Sequence, residues 1–216
     1  QGITNNTTLI KLDLKDDVSK NTVNILQNGI ENADLVTTVS PTYAKEIQTE
    51  KMGEGLEAVL NDKKDKLSGI INGIDTEVWN PQTDGNLVAN YSINNNWVNG
   101  KKTNKIELLK LVGLNYEEKI PLFGMVSRIA EQKGFDILIP ALDKILSKHE
   151  IRVIILATGD SRLQAKLEQV VEKYRTKICL IKRFDEVLSH LIYAGADFFL
   201  VPSKYEPCGL TQMLAM

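Results

Sequence analysis

The chain has 216 residues, 43% hydrophobic and 25% charged, with 26 Lys and Arg against 28 Asp and Glu for a net charge of -2. That length suffices for one full domain or one and a half, and the apolar share excludes wholesale disorder. No stretch approaches about 18 consecutive apolar residues, so no spanning helix is expected, and neither half carries the basic stripe that grips a nucleic acid backbone.

Gln1 to Leu14 lacks the basic and apolar regions of a secretory signal. The chain opens without Met, and Leu210 to Met216 read as a helix cut off mid-course, so an internal piece of a longer protein is expected. Cys179 and Cys208 are far apart, which argues against a disulfide framework or zinc site and suits a reducing compartment.

In chain order, residues 1–84 look like the tail of one unit. Thr22 to Ile30 predicts a helix, Ala33 to Val39 a strand, and Pro41 to Gln48 a helix opened by Ser40 with proline at its first position. Lys66 to Ile71 predicts a strand, and Asn72-Gly73 a turn. Residues 85–120 read as a linker and helical segment: Gly85 to Asn104 holds seven Asn and little periodicity and reads as a partly helical surface segment, and Lys105 to Leu111 predicts a further helix.

Residues 121–216 give the clearest pattern. Pro121 to Ser127, Arg152 to Ala157, Lys177 to Ile181 and Asp197 to Val201 are short apolar runs, each read as a buried strand. Between them, Phe135 to Leu146 and Leu163 to Tyr174 carry apolar residues at helical spacing, and Asp185 can cap a helix running to about Ala194. A further helix is expected over Pro207 to Met216. Strands apolar throughout need cover on both faces, so the fold class is α/β, with a doubly wound parallel sheet and right-handed crossovers. Ligands bind such sheets beyond the carboxyl ends of the strands. Those ends are Ser127-Arg128, Thr158-Gly159-Asp160, Arg183-Phe184 and Pro202 to Glu206.

Three clusters fall near predicted strand or turn ends. In Ser127-Arg128-Ile-Ala-Glu-Gln-Lys133-Gly134, the two cations suit a diphosphate, since Arg grips two oxygens at once and Lys adds a compact charge. The same run also reads as a solvated loop. In Glu206-Pro-Cys208-Gly209-Leu210-Thr211, a helix start offers free N–H groups to an anion. Glu206 either favours the helix dipole or accepts hydrogen bonds from sugar hydroxyls. Cys208 reads as a small packing residue. The third cluster, Asn72-Gly73-Ile74-Asp75, is a strong turn signal and a weak functional one. His149 and His190 both read as helix residues with surface or ordinary packing roles. The sequence has no Asp-x-Asp pair, no HExxH and no GxxxxGK[ST] motif.

With these clusters in hand, the chain resembles the bacterial glycogen synthase and plant starch synthase family. The carriers are Ala33 to Ile47, Gly55-Leu56 to Val59-Leu60, Lys66 to Asp75 with Trp79-Asn80-Pro81, Asn104-Lys105, Ser127-Arg128 with Gln132-Lys133-Gly134, and Glu206 to Gln212. They span roughly residues 20–216; residues 1–19 match nothing identified. The resemblance implies a GT-B fold of two Rossmann-like domains with the active site in the cleft between them. Residues 1–84 would end the N-terminal domain, and 121–216 would form the first half of the C-terminal one. It implies transfer of glucose from ADP-glucose to the non-reducing end of an α-1,4-glucan with retention, with no cofactor or metal, in the cytoplasm or a plastid stroma. Carried over by position, Arg128 and Lys133 would neutralise the departing diphosphate and Glu206 would hold glucose hydroxyls. The Cys208 and Gly209 backbone would face the sugar, Leu210 and Thr211 the phosphate, and Asn72 and Asp75 would border the cleft. The N-domain Lys-x-Gly-Gly loop and the Gly-Gly loop beyond Met216 are absent, so this chain alone is expected to be inactive. Competing readings are another retaining GT-B transferase with a different donor, a non-catalytic glucan- or nucleotide-binding module, and a signalling domain of the response-regulator type, which would need acidic strand ends.

Overall fold

The first element of the computed structural model, which describes residues 24–216, is helix α1 (Ile25–Asn32). Its N-cap Asn24 accepts a hydrogen bond from the Gln27 amide at 3.0 Å; the expected start at Thr22 lies outside the described residues. Strand β1 (Val36–Val39) pairs in parallel with β2 (Leu67–Ile70), with Val36 opposite Leu67. Between them run α2 (Pro41–Glu46), with Pro41 in its first turn and the Ser40 hydroxyl accepting from Tyr43 N, and α3 (Glu57–Asp62). The sequence reading left α3 out because it is only six residues long, with Val59 and Leu60 as its buried pair. Those two residues join Ile30 as the core of a first compact unit, which ends at Asn72.

The second unit, residues 73–216, holds the larger sheet. Its strands are β3 (Leu122–Ile129), β4 (Arg152–Gly159), β5 (Ile178–Ile181) and β6 (Phe198–Phe199), all parallel in the order β5-β4-β3-β6. Alternation along β4 explains the two layers. Val153, Ile155 and Ala157 join one core with helices α5 (Phe135–Leu146) and α6 (Ser161–Lys173). Ile154 and Leu156 join the other, with α4 (Trp97–Leu111) and α7 (Glu186–Gly195). The doubly wound parallel sheet expected from the apolar runs is therefore present. Asp160 caps α6 through Arg162 N and Leu163 N, and Asp185 caps α7 through Leu188 N. The last helix, α8 (Leu210–Ala215), starts three residues later than expected because Gly209 enters it with φ 81°.

The second unit also corrects the sequence reading. Residues 73–84, read as part of the first unit, pack within the second, and the Asn-rich linker runs into α4, which starts at Trp97. Trp79 and Asp84 hold residues 73–84 there through His190, and Asn104, fully buried in α4, ties down the Asn-rich stretch. Its carbonyl accepts from Val88 N and Ala89 N, and its amide donates to Ala89 O and Gly100 O, so all its polar atoms are satisfied. Buried Lys105 donates to Asp197 Oδ2 at 2.6 Å and to Ile120 O, while the same Asp197 oxygen accepts from Leu122 N, fixing the start of β3 against the entry to β6. His149 lies beyond the end of α5 and is exposed rather than helical. His190 is not a surface residue: it is buried on α7, its Nδ1 lies 2.6 Å from Asp84 Oδ2, and its ring stacks on Trp79 at 3.7 Å. An ionised carboxylate only accepts, so Nδ1 donates. A cavity of about 470 Å³ opens beside this cluster, and its lining includes none of residues 128, 133 and 206. Among the described residues, no helix is long and apolar enough to cross a membrane.

Removing the imidazole leaves the Asp84 carboxylate buried without its partner. His190→Ala is expected to destabilise the second unit by about 3 kcal/mol, read from urea unfolding. A loss under about 0.5 kcal/mol, typical of a surface change, would contradict this anchoring.

Candidate active site

The strand order reverses between β3 and β6: β3, β4 and β5 follow one another outward in one direction, and β6 lies on the other side of β3. In open α/β sheets the crevice at such a reversal is the preferred ligand site. The loops that leave the carboxyl ends of β3 and β6 flank it, and they carry Lys133 and Glu206.

These two loops are laced together. Lys204 N donates to Gln132 O at 2.9 Å, and Gln132 Nε2 to Tyr205 O at 3.5 Å. Lys204 Nζ pairs with Asp136 Oδ2 at 2.7 Å, which raises the lysine pKa and lowers that of the aspartate. Gly134 closes the lacing. Its φ is 72°, and a Cβ there would lie 2.0 Å from the Pro202 carbonyl oxygen. Only glycine meets both demands, the left-handed backbone and the close approach.

The lacing brings Lys133 and Glu206, which are 73 residues apart, into contact at 2.7 Å from Nζ to Oε1, each side chain 18% exposed. Ser203 Oγ donates to the same oxygen at 2.7 Å. Among the described residues no hydrogen-bond partner is found for Oε2. Arg128, on the exposed end of β3 opposite Thr158, has no ion-pair partner among the described residues. It stands two residues before the short 3-10 turn Glu131–Lys133. Of the three residues in the pyrophosphate reading, Lys133 and Glu206 are in contact, and Arg128 lies at the carboxyl end of β3.

The remaining expected site residues divide. Cys208 is half-buried, Gly209 buried, and Leu210 and Thr211 open α8 just beyond Glu206. Asp75 belongs to the second unit and is spent locally: its Oδ1 accepts from Glu77 N and Val78 N, which lowers its pKa and stabilises that turn. Asn72 ends the first unit. The sequence reading placed Phe184 at a strand end without giving it a role. Its ring is 88% exposed between β5 and α7, unusual for so large an apolar group. Beside it, Arg183 pairs with Asp185 at 2.7 Å, so that cation is engaged.

The starch synthase catalytic domain model matches residues 1–62, and that of glycosyl transferases group 1 matches residues 120–216. Glycogen synthase from Alkaliphilus metalliredigens is 47% identical over 194 residues, covering 90% of this chain and 40% of its own length. The glycogen synthase of Thermodesulfovibrio yellowstonii is 45% identical, over 90% of this chain and 38% of its own. The solved catalytic domain of starch synthase IV from Arabidopsis thaliana, bound to ADP and acarbose, matches at TM-score 0.81 and 39% identity, over 89% of this chain and 39% of that one. The chain belongs to the glycogen synthase and starch synthase family. Its α/β fold is of the GT-B type, and a glycosyltransferase from Rickettsia africae at 19% identity and TM-score 0.54 shares that fold. The family match begins at residue 1, so the first 19 residues, unplaced by motifs, fall within it. The chain spans about 40% of the length of these glycogen synthases.

Because Gly134 underwrites the Lys133–Glu206 contact, Gly134→Ala is expected to cost more than the roughly 1–2 kcal/mol of a left-handed backbone alone. Chemical denaturation reads this loss; wild-type stability in the variant would show that the close approach to Pro202 is not required.

Proposed function

We propose that the protein carrying this segment is a retaining glucosyltransferase that moves glucose from ADP-glucose to the non-reducing end of an α-1,4-glucan. The observation that carries this reading is the convergence of Lys133 and Glu206 at the strand-order reversal of a family-matched sheet, with the free Arg128 guanidinium on the same edge. The Arabidopsis starch synthase, determined with ADP and acarbose bound, supports a nucleotide and a glucan as the ligand classes.

Cleaving the sugar–phosphate bond of ADP-glucose leaves negative charge on the departing diphosphate. Arg128 offers two parallel N–H donors to those oxygens. Lys133 has three ammonium protons, one engaged by Glu206, so two remain for phosphate. The ammonium thus stands between the carboxylate and the diphosphate, which would otherwise repel each other. Charge stabilisation of this kind acts most strongly where water is excluded. Glu206 accepts hydrogen bonds from hexose hydroxyls, the Cys208 and Gly209 backbone faces the sugar, and the amides of Leu210 and Thr211 meet phosphate. The exposed Phe184 face suits stacking of the adenine base. This reading assigns no resident cofactor. It places the enzyme in a reducing compartment such as the cytoplasm, in keeping with just two cysteines far apart in sequence.

The direct test is incorporation of labelled glucose from ADP-glucose into glycogen by the protein of the relatives' full length; no incorporation, or faster transfer from UDP-glucose, would refute the donor assignment. In that protein, Arg128→Ala is expected to lower turnover by about 10²–10³-fold. Phe184→Ala is expected to weaken ADP binding about tenfold by calorimetry, the worth of one stacked base; unchanged ADP affinity would remove its role.

A further inference from the structure

We propose that Ser203 is a positioning residue for the transfer, acting on the sugar through Glu206; this deepens the reading of Glu206 as the hexose-binding carboxylate and rests on it.

The geometry separates the two oxygens of Glu206. Oε1 takes both donors, Lys133 Nζ and Ser203 Oγ, each at 2.7 Å. Oε2 has no hydrogen-bond partner among the described residues and is the oxygen available to hexose hydroxyls. The terminal torsion of a glutamate is broad and roughly two-fold, so an unrestrained carboxylate exchanges its oxygens readily. Two donors on one side of the carboxylate restrain that torsion and so fix the plane in which its other oxygen faces the ligand.

The two donors are not equivalent once the donor substrate binds. The Lys133 ammonium is drawn toward the diphosphate, and most strongly as charge develops on the leaving group. The Ser203 hydroxyl is neutral and lies three residues before Glu206 on the same loop, so its bond does not depend on the phosphate. That loop is itself tied to the β3 loop through Lys204 N and Gln132 O. Ser203 therefore keeps Oε2 turned to the sugar while Lys133 serves the leaving group. Its effect is confined to the hexose half of the substrate.

The test compares ADP-glucose and ADP binding by calorimetry, together with turnover, in the full-length protein and its Ser203→Ala, Ser203→Thr, Glu206→Ala and Ser203→Ala/Glu206→Ala variants. Loss of one hydrogen bond to a charged group predicts about tenfold weaker ADP-glucose binding or slower turnover in Ser203→Ala, with ADP affinity unchanged. Ser203→Thr, which keeps the hydroxyl, restores the wild-type values. In the Glu206→Ala background the serine change adds nothing, because the two residues act as one unit. Equal weakening of ADP and ADP-glucose, or full additivity with Glu206→Ala, would show a merely structural serine and overturn the proposal. If Glu206→Ala itself retains ADP-glucose affinity and turnover, the hexose role of Glu206 fails first, and that outcome is distinct from the others.

Discussion

The site depends on one close approach: the backbone of the β3 loop at Gly134 against the carbonyl of Pro202 in the β6 loop. Every larger side chain at 134 would hold the loops apart. With them apart, Lys133 and Glu206 would be two separate charges on two loops. Held together, they form a partly buried pair in which the cation is pre-paid in position. The flanking bonds from Lys204 to Gln132 and Asp136 keep that approach in register. The chemistry assigned to the pair needs such fixing, since a donor displaced by about 1 Å can cost orders of magnitude in rate.

The sheet supplies the frame for this contact. Because β3 and β6 are neighbours while β4 and β5 lie on the other side, the strand order reverses at the carboxyl ends from which the two laced loops leave, the place where such sheets bind ligands. The entry to β3 and β6 is pinned at the opposite end by Asp197, whose carboxylate takes both Leu122 N and Lys105 Nζ. Two strands fixed at their amino ends deliver their carboxyl ends reproducibly. The buried polar residues of α4 thus serve the site from the far side of the sheet, without touching it.

How much was legible in the sequence follows from this geometry. Strands such as Val153 to Ala157 are apolar on both faces, and a period-free apolar run of that length announces a buried parallel strand. The cap Asp185, directly ahead of its helix, was equally readable. The second half of helix α4 was expected, but its first half was not, because it contains Asn99 and Asn104, residues of weak helix propensity. Asn104 is in that helix for its four hydrogen bonds, a tertiary reason that no local pattern reveals. The packing partners of His190 were hidden for the same cause: Asp84 and Trp79 lie more than 100 residues away. At the site, the residue types of Arg128, Lys133 and Glu206 were informative. Their contacts were not, since the role of Gly134 depends on a carbonyl 68 residues downstream.

The charge balance of the site argues for a ligand that carries both a hexose and a phosphate. A site for a bare anion would gain nothing from Glu206 beside its lysine, because the carboxylate cancels part of the attraction and leaves Lys133 with fewer protons to give. A site for a neutral sugar would have no use for a guanidinium at the end of β3 that has no ion-pair partner among the described residues. A sugar diphosphate uses both, with its anionic half toward Arg128 and Lys133 and its hydroxyl half toward Glu206. In the proposed reading, the salt bridge between Lys133 and Glu206 would mark the boundary between these halves. On that proposal, the one ion pair that joins the two loops would also separate the leaving group from the transferred sugar.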